Sequence, residues 1–80
     1  MDGYDICVDF MDMHDDGRLW ARIVDVRAGF VPIAGRHVVV GAHDAEPAVA
    51  KILRVDGSGH IELLVLPGDV ATHRDLLTPA

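Results

Sequence analysis

Two stretches of this chain, 4–26 and 48–66, alternate apolar and polar residues on either side of an Asp/Gly turn. Such alternation predicts β-hairpins, because successive side chains of a strand point to opposite faces of a sheet. The turns lie at 14–17 and 56–59. In the first stretch apolar side chains fall on both faces, so the sequence predicts a strand pair that avoids water on both sides.

The first hairpin is predicted to pair strand 4–13 with strand 18–26, antiparallel across the turn at 14–17. This register predicts three cross-strand pairs: Phe10 with Ala21, Val8 with Ile23, and Asp9 with Arg22. Apolar residues then meet on one face, and opposite charges meet on the other. The first face is the predicted core.

Residues 45–53 fit either a strand or an amphipathic helix with Asp44 as its cap. We favour the strand, because Pro47 is poorly placed after the first helical turn and 51–55 leads directly into the turn at 56–59. The second hairpin then pairs Ile52 with Leu63 and Ala50 with Val65.

Three further segments complete the predicted fold. Arg36 to Val40 is a third strand, and the connection 27–35 turns Phe30 and Ile33 inward. Asp69 is predicted to cap a short helical turn ending at Leu77, with Leu76 and Leu77 docked on the sheet.

Eighty residues make one domain, 1–80, of all-β class with five strands. The segments Gly35–Gly41 and Ala50–Gly57 resemble the central strands of small SH3-like barrels, including KOW-type domains. The resemblance implies a five-stranded SH3-like barrel or strongly bent antiparallel sheet with a short C-terminal helical turn. Residues 9–12, 17–20 and 65–68 are similar in texture to small actinobacterial proteins, a resemblance that carries no activity.

Thirteen acidic residues stand against seven Lys and Arg, giving a net charge of −6. This balance opposes binding to a phosphate backbone, so nucleic acid is not an expected partner. The single cysteine, Cys7, excludes an internal disulfide and a Cys-only zinc site. The sequence shows no leader-like start and no apolar run of membrane-spanning length, which favours a cytoplasmic protein without a membrane contact.

No spacing in the sequence matches a nucleophile elbow, a phosphate loop or a dinucleotide fingerprint. We therefore expect neither an enzyme nor a cofactor. One loop gathers His43, Asp44 and Glu46, and metal binding by these three residues is an alternative function. It lacks the ligand spacing of known metal sites, so no metal is expected.

Trp20 is the strongest candidate for binding, because Trp, Arg and Met are enriched at protein interfaces. Its strand face is open to two interpretations, the inside of a barrel or a contact surface. On the second interpretation the chain forms a homodimer or binds another protein. The predicted interface comprises Cys7, Met11, Met13, Arg18, Trp20, Arg22 and Val24.

A second hypothesis is an inhibitor or antitoxin-type protein that offers an acidic surface to a basic partner. It is motivated by the concentration of negative charge in two loops. The carboxylates concerned are Asp12, Asp15, Asp16, Asp44 and Glu46.

Overall fold

The computed structural model describes residues 3–77 as a five-stranded sheet curled into a half-barrel. The strands are β1 (Ile6–Cys7), β2 (Arg18–Arg22), β3 (His37–Ala42), β4 (Ala45–Val55) and β5 (His60–Val65). They lie in the order β1-β3-β4-β5-β2, and a short C-terminal helical segment follows. The predicted fold class, mainly β with a bent five-stranded sheet and a C-terminal helical turn, is confirmed.

The hairpin of β4 and β5 forms as predicted. Ile52 lies opposite Leu63 and Ala50 opposite Val65, with a register shift between Ile52 and Arg54. At its turn the Asp56 carboxylate accepts hydrogen bonds from the backbone N–H groups of Ser58 and His60, both at 3.0 Å. The bond from the His60 N–H, together with that from the Ser58 hydroxyl, holds the pKa of Asp56 below its usual value. This closed turn fixes the register locally.

Residues 45–55 form a strand and not a helix, as expected. β3 begins one residue later than predicted and runs on to Ala42, where it turns tightly at residues 43–44 into β4. Only residues 43–44 connect the two strands, because β4 already starts at Ala45.

The predicted first hairpin is wrong. β1 contains only Ile6 and Cys7 and pairs in parallel with β3, whereas β2 pairs with β5. Asp9 ends the extended stretch, because its side chain accepts the Met11 N–H at 2.9 Å and starts a 3₁₀ helix, Phe10–Asp12. The expected pairing of Phe10 with Ala21 does not occur, although both contribute to the same core.

The two other predicted pairs of that hairpin also fail. β2 stops at Arg22, and a second 3₁₀ helix follows at Ile23–Asp25, so Ile23 does not face Val8. Arg22 is bound to Asp25 at 3.3 Å, and not to Asp9. The chain then returns to β1 through a single bridge between Ile6 and Val26, which partly closes the half-barrel.

The core fills the inner side of the curled sheet. Alternate residues along the strands contribute to this core, because successive side chains of a strand point to opposite sides of the sheet. Its members are Ile6, Val8, Leu19, Ala21, Val38, Val40, Ala50, Ile52, Ile61 and Leu63. Phe30 packs against this core as predicted, but Ile33 is exposed, since the loop turns it away.

The C-terminal segment is capped as predicted. The Asp69 carboxylate accepts hydrogen bonds from the Thr72 hydroxyl at 2.7 Å and the Thr72 N–H at 2.9 Å, and these bonds, the hydroxyl one first, lower the pKa of Asp69. A 3₁₀ turn, Ala71–His73, leads into α1 (Arg74–Leu77), which lies against β3. Leu77 is half-buried while Leu76 is exposed, so only one of the two predicted docking residues faces the sheet.

Candidate functional site

β2 directs its residues alternately inward and outward. Leu19 and Ala21 are buried in the core, and Arg18, Trp20 and Arg22 are exposed on the opposite side. Trp20 keeps 41% of its surface exposed. Of the two interpretations of this strand face, the barrel interior is therefore wrong, and Trp20 lies on the outer side of the sheet.

Side chains from three strands surround Trp20. The guanidinium carbon of Arg54, on β4, lies 5.2 Å from the centre of the indole ring, within cation–π range. The ring of His60, on β5, meets it edge-on with the centres 6.3 Å apart. Glu62 lies opposite Trp20 in register, 3.7 Å from Arg18 and 3.8 Å from Arg54. Ring and guanidinium groups thus form one continuous array.

The outer side of β2, β5 and β4 also collects positive charge. Lys51 joins it, because Lys51 and Arg18 both pair with Leu64 in one row across the sheet. Four of the seven Lys and Arg residues therefore share this surface. We call it the Trp20 face, comprising Arg18, Trp20, Arg22, Lys51, Arg54, His60 and Glu62.

Carboxylates hold two of these arginines in place. Asp16 accepts the Arg18 N–H at 3.0 Å and the Arg18 Nε–H at 2.8 Å. These bonds, the backbone one first, lower the pKa of Asp16. Asp25 accepts a single bond from Arg22, from its Nε–H at 3.3 Å. Since each guanidinium has five N–H donors, further donors remain for a binding partner.

Two surface clefts border Trp20. The larger, of about 430 Å³, separates β2 from the β1 side and is lined by Cys7, Asp9, Asp12 and Arg22 among others. The smaller, of about 210 Å³, is lined by His14, Arg18 and Glu62. Trp20 forms a wall of both, so a partner can reach it from more than one side.

The structure brings only part of the predicted interface together. Cys7, Trp20 and Arg22 share the larger cleft, and Arg18 adjoins Trp20. Met11 is 91% exposed on the first 3₁₀ helix and borders a separate cleft. Met13 lies near Val65 and Leu66, and Val24 is exposed on the second 3₁₀ helix. The predicted hairpin placed all seven residues on one strand face. In the structure they lie in several separate places.

The predicted acidic residues are exposed and lie in three places. Asp44 shares a cleft of about 460 Å³ with Asp9 and Met11, and Asp12 shares the next cleft with Asp9. We call these four residues the Met11 rim. Asp15 and Asp16 lie in the turn after it, and Glu46 lies on β4. Within residues 3–77 only Asp16 of the predicted acidic set forms an ion pair.

No three His, Cys, Asp or Glu side chains within residues 3–77 come together in a way that could hold a metal ion. The metal-binding alternative for His43, Asp44 and Glu46 therefore gains no support. A Ser–His–Asp cluster does occur at the β4–β5 turn, where the Ser58 hydroxyl lies 3.1 Å from His60 Nδ1. The same hydroxyl donates to Asp56 at 2.8 Å, so the carboxylate closes the turn and does not orient the histidine.

Arg54 and His60 were not predicted as neighbours of Trp20, because the predicted pairing of strand 18–26 with the N-terminal stretch placed β5 and β4 elsewhere. One signal was present: Glu62 interrupts the apolar run 61–66, and a carboxylate on a partly buried strand is stabilised by a cation beside it.

No family model matches the chain, and neither curated proteins nor solved structures show a significant similarity to it. The curled sheet is consistent with a small barrel, and the SH3-like resemblance stays a prediction. None of the helices within residues 3–77 has the length and apolar character needed to span a bilayer.

Proposed function

We propose that this protein is a cytoplasmic, non-enzymatic interaction module that associates with a second copy of itself through the Trp20 face. The supporting observation is the exposed indole of Trp20, with the Arg54 guanidinium 5.2 Å from its ring centre and with Arg18 and Arg22 each lining a cleft beside it. Trp and Arg are the residues most enriched at the energetic centres of protein interfaces. Folding does not require Trp20 on this side, because Leu19 and Ala21 supply the core contacts of β2.

Size adds a second reason. A domain of this length buries only about 60% of the surface that its unfolded chain exposes. Large apolar side chains remain at the surface, including Met11, Val24 and Val31 at 91%, 76% and 62% exposure. A standard interface covers about 800 Å² on each partner, and the accessible surface of 5126 Å² readily offers that area.

Trp20→Ala is expected to weaken self-association at least about 30-fold, since interface centres of this composition lose about 2 kcal/mol or more on truncation. The fold is expected to persist, because Trp20 lies outside the core. Sedimentation velocity from about 10 µM to 1 mM measures the association, and circular dichroism confirms folding. Leu76→Ala, which shortens a side chain of similar exposure on α1, is the matched control and leaves association unchanged. A wild-type chain that is monomeric throughout refutes the proposal.

A second candidate function is binding of a basic protein by the exposed carboxylates Asp12, Asp15, Asp44 and Glu46. None of these four forms an ion pair inside the part of the chain that the structure describes, so all remain available. Complementary charge speeds association and selects partners.

This candidate is tested by paired pull-downs with the wild type and a D12N/D15N/D44N/E46Q variant. The expected result is a basic protein that the wild type retains, that the variant does not retain, and that about 0.5 M NaCl releases. Equal retention by both chains, or retention that salt does not weaken, would exclude the acidic surface as the binding site.

A further inference from the structure

The Met11 rim has the inverse chemistry of the Trp20 face. Met11 is the most exposed large apolar side chain of the described residues, and three carboxylates, Asp9, Asp12 and Asp44, lie around it. Asp9 also fixes the local backbone by accepting the Met11 N–H. An exposed apolar side chain therefore lies beside three carboxylates.

The Trp20 face offers an aromatic side chain beside cationic ones. Its four cations, Arg18, Arg22, Lys51 and Arg54, outnumber the three carboxylates that contact them, Asp16, Asp25 and Glu62. A local positive excess is notable in a chain of net charge −6. Methionine sulfur makes favourable contacts with aromatic rings, and carboxylates bind guanidinium groups strongly. The Met11 rim and the Trp20 face are therefore complementary in charge and in their methionine–aromatic contact.

The two surfaces are neighbours on one chain, since Asp12 of the rim and Trp20 of the face line the same cleft. A two-fold axis beside that cleft would bring the rim of each copy onto the face of the other, so that both contacts form at once. Two-fold closure is the commonest arrangement of soluble oligomers. Face-on-face contact would instead oppose guanidinium to guanidinium, which is unfavourable.

We infer that the partner of the Trp20 face is the Met11 rim of a second copy, in a closed and reciprocal two-fold dimer. The inference rests on the proposed self-association and specifies its geometry. Met11 of one copy packs against Trp20 of the other, and the rim carboxylates bind the outward N–H groups of the face arginines. Because the contact is charged, salt weakens it: we expect about a tenfold loss of affinity between 50 and 500 mM NaCl.

Charge reversal tests the pairing. The face variant is R22E/R54E and the rim variant is D12R/D44R, with Asp9 left in place because it caps the 3₁₀ helix. Each variant alone opposes like charges and is expected to dimerise about 100-fold more weakly than the wild type. An equimolar mixture restores opposite charges at both contacts, so a 1:1 heterodimer is expected near wild-type affinity. D75R, an exposed reversal on α1, is the control and leaves the dimer intact.

The outcomes separate this inference from the proposed function. If the wild type dimerises but the mixture stays monomeric, or if D12R/D44R alone remains dimeric, self-association stands and the rim-on-face pairing is overturned. A monomeric wild type at about 1 mM removes both. Should reversal beside Glu62 unfold the face variant, R22Q/R54Q must still weaken the dimer about tenfold, and an unchanged dimer would refute the pairing.

Discussion

Leu63→Ala is expected to lower the free energy of unfolding by about 3 kcal/mol. Leu63 is fully buried on β5, and its neighbours across the sheet are Ile52 on β4 and Leu19 on β2, both fully buried as well. Truncation removes apolar burial and leaves a cavity that two rigid neighbouring strands cannot close. For a domain of this size the melting temperature should fall by about 12–24 °C.

Chemical denaturation with urea measures this loss as a shift of the midpoint at constant slope. Leu64→Ala is the matched control, because the adjacent residue lies on the other side of β5 and is only half-buried. Its expected cost is below about 1 kcal/mol, since partly exposed positions have less burial to lose. Equal costs at the two positions would contradict the assignment of inner and outer sides to this strand.

The β4–β5 hairpin was predictable because everything that fixes it is local. Asp56 and the Gly-rich residues after it close the turn, and the turn then sets the register of Ile52 against Leu63. The register shift between Ile52 and Arg54 was not predicted. The alternation of apolar and polar residues along one strand does not indicate where such a shift occurs.

The first hairpin failed for the complementary reason. The turn at 14–17 does form, with the Gly17 N–H donating to the His14 carbonyl at 2.9 Å. Alternation specifies which side of β2 is apolar but not which strand pairs with it. Leu19 and Ala21 pair with Leu63 and Ile61 of β5. This long-range pairing forms in place of the predicted local pairing with residues 4–13.

The long-range pairing of β2 with β5 also limits how much of the candidate site can be predicted from the sequence. Trp20, Arg18 and Arg22 could be singled out because they share one side of a single strand. Arg54 and His60 come from strands that reach Trp20 only through the β2–β5 pairing. A site assembled across strands therefore needs the correct topology before its members can be named.

Gly41→Ala is expected to destabilise the fold by about 2 kcal/mol. A Cβ atom at position 41 would lie 2.7 Å from Tyr4 Cδ2 and 3.0 Å from Tyr4 Cγ. Tyr4 is only 8% exposed, and the clash involves the base of its ring, which cannot swing aside as a flexible chain end could. Either the ring or strand β3 must move. Gly57→Ala, where no atom lies within 4 Å of the added Cβ, is the control and should cost far less.

A double-mutant cycle separates this clash from any backbone effect of the added methyl group. Tyr4→Ala alone loses the buried ring and is itself destabilising, by about 3 kcal/mol. In that background Gly41→Ala has no ring to meet, so its cost should fall to within about 0.5 kcal/mol of zero. A cost that stays near 2 kcal/mol without the ring would show that β3 requires glycine for its own conformation. A cost that vanishes would show that Gly41 leaves room for the Tyr4 ring to pack against β3. This packing then helps to hold β1 in its parallel pairing with β3, which local sequence patterns did not reveal.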